Sequence, residues 1–124
     1  MRQIKFRIWN TLMKLWLCED SQYLQMDGKK VHAAPWSTME WDIPSEQYVI
    51  QQFTGLKDSK VKDIYEGDIV RYELDGTVYT QTVGWGNNGW EMIDTRLYST
   101  PLIVNLPNFE VVGNIFESRE LLNK

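Results

Sequence analysis

Gly55–Glu73 reads GLKDSKVKDIYEGDIVRYE, nineteen residues whose interpretation decides the fold. Within it, Tyr65-Glu66-Gly67-Asp68 predicts a tight turn that launches a strand over Ile69, Val70, Arg71 and Tyr72. Gly67 can take the φ > 0 geometry closed to its neighbours, and Asp68 can hydrogen-bond back to the backbone. Lys57 to Asp63, just before the turn, reads as a charged and exposed loop.

Downstream, Asp75-Gly76 signals a hairpin into Thr77 to Val83, and Gly86-Asn87-Asn88-Gly89 signals another between Trp85 and Trp90. Turns at such short intervals suit a small barrel. Leu97 to Pro107 is less regular, its prolines at Pro101 and Pro107 tolerated at strand starts or edges. Phe109 to Phe116 is strand-like around Gly113, a position suited to a bulge or a close backbone approach. Ser118 can cap a short helix from Arg119 to Asn123.

Upstream, Ile4, Phe6 and Ile8 alternate with Lys5, Arg7 and Trp9, the period of a half-buried strand. Asn10-Thr11 favours a turn, and Met13, Leu15 and Leu17 alternate with Lys14, Trp16 and Cys18, which predicts a hairpin. Tyr23 to Met26 suits a third short strand, with Asp27-Gly28 turning the chain into Lys29, Lys30 and Val31. From His32 to Glu46 the periodicity disappears, and a long connection of this kind usually covers or binds something. Tyr48 to Phe53 reads as a strand that Thr54-Gly55 ends.

The fold expected is therefore mainly β. One unit of 124 residues would comprise an N-terminal β-hairpin subdomain (1–53), then a small SH3-like or barrel-like module (54–124) closed by a short C-terminal helix. Hydrophobic residues at 43% and six tryptophans exclude a disordered chain. The formal charge of −4 conceals an asymmetry: residues 1–62 carry nine Lys+Arg against seven Asp+Glu, residues 63–124 four against ten. A phosphate backbone would therefore find its partners in the front half. The single cysteine, Cys18, offers neither a disulfide nor a paired metal thiolate and fits a reducing cytoplasm. No spanning segment or signal peptide is legible, so a cytoplasmic, non-membrane protein is expected.

With these residues in view, the chain resembles the YopX family of phage and prophage proteins. The resemblance rests on IKFRIWN at Ile4 to Asn10, on FTGLKD through IYEGDIV at Phe53 to Val70, and on EVVGNIFESRELL at Glu110 to Leu122. Two departures stand out: the family often has Asn-Gly where this chain has Lys60-Val61, and often Pro near Arg119. The resemblance implies a mostly β protein encoded by phage or integrated phage DNA, acting in the host bacterial cytoplasm, with no catalytic residues to carry over.

Asp58, Asp63, Glu66 and Asp68 form the densest carboxylate cluster, but their spacing matches no calcium loop and no phosphate-cradling glycine motif accompanies them. Turn-forming and solvated roles suit them better than metal binding or acid–base work. His32, the only histidine, lacks a nucleophile elbow or metal-ligand spacing around it. Catalytic residues, metal ligands and cofactors are therefore not expected.

Binding is the expected mode of action, to a protein partner or to further copies of the chain. The candidate contacts are Trp36 and Trp41 in the irregular connection, which otherwise fold back as core, and Lys57, Lys60 and Lys62 in the charged loop. Trp85 and Trp90 are expected as cross-strand core partners. The alternative is a nucleic-acid-binding module using Lys5, Arg7, Lys14, Lys29 and Lys30, with Lys5 and Arg7 on one strand face, although the acidic C-terminal half opposes it. Such a basic stripe is equally what a solvated strand face presents.

Overall fold

A computed structural model describes residues 4–21, 25–27, 30–32, 41–42, 47–86, 89–94 and 99–123. The chain divides into two compact units, Met1–Phe53 and Thr54–Lys124. Both are built from antiparallel strands, so the mainly β expectation holds.

In the first unit, β1 (Phe6–Asn10) pairs with β2 (Leu15–Ser21) as the expected hairpin, with register shifts on either side of Ile8. The turn forms because Asn10 is bound locally: its Oδ1 accepts the N–H groups of Leu12 and Met13, each at 2.9 Å. Beyond it, β3 (Gln25–Asp27), β4 (Lys30–His32) and β5 (Trp41–Asp42) form a three-stranded sheet, with Asp27 opposite Lys30 and Val31 opposite Trp41. The remainder of the expected connection, residues 33–40 and 43–46, lies outside the described residues.

Strand β6 (Tyr48–Lys57) pairs with the opposite edge of β1, register Ile8 to Ile50. That makes β1 central, and its residues Arg7 through Asn10 are all buried. The half-buried reading of its alternation is thus corrected: a strand flanked by neighbours and overlaid by side chains on both faces has no solvent face. Thr54-Gly55 does not end β6 either. Gly55 adopts φ 88°, and the strand passes through it, because a residue without Cβ absorbs a left-handed kink at little strain.

The second unit begins with the end of β6 and with β7 (Asp63–Tyr65). The decisive turn follows as expected: Gly67 sits at φ 84°, and Asp68 Oδ2 accepts the Tyr65 N–H at 2.8 Å. Strand β8 (Asp68–Leu74) turns at Asp75 (φ 52°) and Gly76 (φ 80°) into β9 (Thr77–Gly86), with Leu74 opposite Thr77. The next hairpin joins β9 to β10 (Gly89–Ile93), with Trp85 opposite Trp90.

Edge strand β11 (Ser99–Pro101) pairs with β10, and its Pro101 faces Glu91 in register. At the other end, β12 (Glu110–Asn114) pairs with β8, giving the order β11-β10-β9-β8-β12, a half-barrel. The chain finishes in a short 3-10 helix, Arg119–Asn123. Register shifts between Val111 and Gly113, so Gly113 marks a bulge. It is also a close approach: an added Cβ would stand 2.5 Å from the Cβ and Oγ of Ser118.

Ile64, Val70, Tyr72, Val83, Met92 and Phe109 form the core of this unit, with Trp90, Leu102, Val104, Leu106 and Val111 packed against it. Each fully buried aliphatic or aromatic chain contributes about 1.5–3 kcal/mol by leaving water. Val70 and Tyr72 are alternate residues of β8 and so reach this core from one face of the sheet.

Candidate functional site

The loop from Asp58 to Lys62 joins β6 to β7 and is held unusually firmly. Asp58 Oδ1 accepts the N–H groups of Lys60 and Lys62, and Oδ2 accepts that of Val111 on β12, all at 2.9 Å. Main-chain bonds complete the frame: Asp58 N–H to the Lys62 carbonyl at 2.9 Å, Val61 N–H to the Asp58 carbonyl at 3.0 Å, and Ser59 N–H to the Phe109 carbonyl at 2.9 Å. Asp58 is only 7% exposed, and Asp68 is 2% exposed. Their turn-forming role is as expected, but a solvated role is not: both are buried acceptors for backbone N–H groups.

The frame holds Val61 at φ 64° and leaves it 70% exposed. A β-branched side chain in the left-handed region is strained by roughly 1–2 kcal/mol, and at that exposure packing returns little of it. Strain of this kind persists only where surrounding bonds over-determine it, and here the Asp58 frame does so.

The three loop lysines do not form a basic patch. Lys57 Nζ lies 3.0 Å from Asp63 Oδ1, and Lys60 Nζ lies 3.0 Å from Glu110 Oε2. The hydrogen bond to Glu110, and then its charge, raise the Lys60 pKa above the ordinary lysine value. With Asp58 included, three carboxylates face three lysines, so the loop is close to neutral. Lys62 is exposed, and no carboxylate among the described residues pairs with it.

A second feature lies at the far end of the strand order. Trp85 and Trp90 meet edge to face with centroids 4.8 Å apart, as the hairpin register requires. They are cross-strand partners, but Trp85 is 62% exposed rather than core. Only Trp90 packs on the core, because the core residues of β9 end at Val83 and leave Trp85 beyond their edge. The indole N–H of Trp90 is buried and meets no acceptor among the described residues. Beside it runs an open groove lined by Trp90, Glu91, Ser99, Thr100 and Pro101. The Glu91 side chain lies across Gly86, where an added Cβ would collide with its carboxylate.

The remaining candidates are dispersed. Arg7 is 8% exposed; its Nε donates to Gln51 Oε1 at 2.9 Å and its guanidinium lies 4.6 Å from the Trp16 ring centroid. The expectation that Arg7 shares an outward strand face is corrected, since Trp16 and Gln51 cover it. Lys5 Nζ stands 4.5 Å from the centroid of the Phe53 ring, and Lys14 is exposed in the β1–β2 turn at φ 57°. Lys30 lies on β4 and Trp41 on β5, whereas Trp36 and Lys29 fall outside the described residues. Among the described residues no three His, Cys, Asp or Glu side chains are grouped to hold a metal ion, and no helix is long and apolar enough to cross a membrane.

Sequence reasoning missed the Asp58 clamp, the Val61 projection and the exposure of Trp85. An Asx-turn signal at Asp58-Ser59 could have found the local half of the clamp. Its other half, at Val111, is 53 residues away.

A model of the YopX protein family matches residues 5–123 of the chain. Among solved structures, the chain is similar to protein EF1440 from Enterococcus faecalis, with 24% sequence identity over 98% of this chain and 99% of that chain and a TM-score of 0.60. At that identity the likeness shows the fold alone. No curated protein matches the chain.

Proposed function

We propose that this chain, which belongs to the YopX protein family, is a phage or prophage accessory protein that acts by binding protein in the host bacterial cytoplasm. The observation that carries this reading is the clamped loop. A buried carboxylate and the bonds around it hold a strained valine outward at 70% exposure, between Lys60, which pairs with Glu110, and the exposed Lys62. A rigid apolar projection loses little conformational entropy on docking, which favours a protein surface as its target. Its near-neutral charge does not favour a phosphate backbone. Trp36 and Trp41 remain candidate contacts beside Lys57, Lys60 and Lys62.

Affinity capture of the tagged protein from host lysate, with and without nuclease, tests this reading beside Val61→Asp and Trp36/Trp41 double-alanine variants. A protein retained after nuclease and lost in the Val61 variant supports the loop as a contact. Recovery only while nucleic acid is intact would sink the protein-binding reading in favour of the nucleic-acid alternative.

A further inference from the structure

Strand β9 runs past the end of its neighbour. It pairs with β8 from Thr77 to Thr82 without a register shift, but with β10 only from Thr82 to Gly86. Among the described residues, Thr77–Gln81 therefore has no strand along its second side, and its outward N–H and C=O groups have no sheet partner there.

Three other edge strands are blunted. β11 is three residues long and ends in Pro101, which has no N–H to offer. On β12 the Val111 N–H is taken by Asp58, and the Phe109 carbonyl just before the strand by Ser59. β2 is interrupted by two register shifts. Thr77-Val78-Tyr79-Thr80-Gln81 has no proline, glycine, charge or bulge, and its β-branched and aromatic residues suit a strand.

The side chains here are also laid out for a contact. Every residue from Glu73 to Tyr79 is exposed, with Val78 at 56% and Tyr79 at 40%. The Tyr79 ring stacks on buried Tyr72 with centroids 5.3 Å apart, and Tyr72 stacks in turn on buried Phe109. A ring backed in this way is ordered before anything docks, so it loses little freedom on contact.

We propose that the open edge of β9 at Thr77–Gln81 takes an extended, lysine- or arginine-rich segment of a partner protein, which adds to the sheet as a further strand. Charge selects this occupant. Residues 72–95 hold Glu73, Asp75, Glu91 and Asp94 and no lysine or arginine. A cationic strand meets Glu73 and Asp75, both exposed at the end of the hairpin. A second copy of this edge would bring the same carboxylates with it, and a phosphate backbone is repelled for the same reason. The site lies apart from the Asp58–Lys62 loop and does not depend on the reading of that loop.

Fluorescence anisotropy with a labelled peptide of alternating lysine and valine tests the proposal on the full chain. The peptide should bind, and a fully N-methylated peptide of the same charge should bind at least about tenfold more weakly, because it cannot donate to the edge. Tyr79→Ala should cost at least about tenfold as well. Glu73→Gln with Asp75→Asn should weaken binding, whereas Glu117→Gln with Glu120→Gln, the same change in net charge, should not. Val61→Asn should bind as the wild type does. On binding, amide exchange should slow at alternate residues of Thr77–Gln81. Circular dichroism and melting confirm that each variant is folded.

A peptide that does not bind, or that binds equally well when N-methylated, overturns strand addition. An equal loss in the Glu117/Glu120 variant overturns the site by reducing the contact to net charge, and a loss in Val61→Asn overturns it in favour of the loop. Slow exchange at Thr77–Gln81 that grows with protein concentration in the absence of peptide overturns the cationic partner and assigns the edge to further copies of the chain.

Discussion

Asp58 Oδ2 accepts the backbone N–H of Val111 at 2.9 Å, across 53 residues of sequence, while Oδ1 holds Lys60 and Lys62. One buried carboxylate thus sets the shape of the loop and ties it to β12. Asp58→Asn offers a single acceptor oxygen to donors on both sides, and its amide N–H₂ opposes one of them. The expected loss is about 1–3 kcal/mol, the scale for a backbone donor left unpaired. Urea unfolding checks it, and amide exchange should quicken first at Lys60, Lys62 and Val111. An unchanged midpoint would show that the loop is held by its main-chain bonds alone.

Val61 predicts a gain rather than a loss. Val61→Asn places a residue that tolerates the left-handed region at φ 64°, and little burial is forfeited at 70% exposure. Stability should rise by about 1 kcal/mol, read as a higher urea midpoint with an unchanged slope. A lower midpoint would mean that the valine supports the fold, and the strain account would be wrong.

Gly113→Ala should destabilise by about 1–3 kcal/mol, because the new methyl would stand 2.5 Å from Ser118 Cβ and Oγ and 3.3 Å from Leu121 Cδ1. Ser118→Gly removes the first two of those atoms. The double variant should therefore recover much of the loss, and a thermodynamic cycle that comes out additive would show that the crowding is not the cause.

Alkaline pH should loosen the second unit through two groups. Burial, then Tyr79 and Asp94, raise the Tyr72 pKa above 10.0, while its hydroxyl donates to Gln81 Oε1 at 2.6 Å. The folded chain keeps this proton where the unfolded chain gives it up. The contribution is therefore whole below about pH 10.0 and is lost as pH rises through the folded value. Lys60, raised above 10.5 by Glu110, follows the same sign, but this solvent-exposed pair adds little. Spectrophotometric titration should show a late-ionising phenol that is absent in Tyr72→Phe. A late phase that survives in Tyr72→Phe would contradict the assignment.

The turns of this protein were legible because their causes are local. Gly67 at φ 84°, the Asp75-Gly76 hairpin, the Asn10 turn and the bulge at Gly113 each follow from a residue whose backbone freedom or short side chain acts within a few positions. Gly55 shows the limit of such rules. The same permissiveness that ends a strand elsewhere lets β6 continue here, because a residue without Cβ takes φ 88° at little strain.

What the sequence by itself determined is the mainly β class, the hairpin turns and the family. Tertiary structure alone decided which side chains water reaches. Arg7 is buried because Trp16 and Gln51 come over it, Trp85 is exposed because the core stops at Val83, and Asp58 is a clamp because Val111 arrives beside it. Backbone geometry is set by residues within about four positions of each other, whereas burial depends on strands that meet only after the chain has folded.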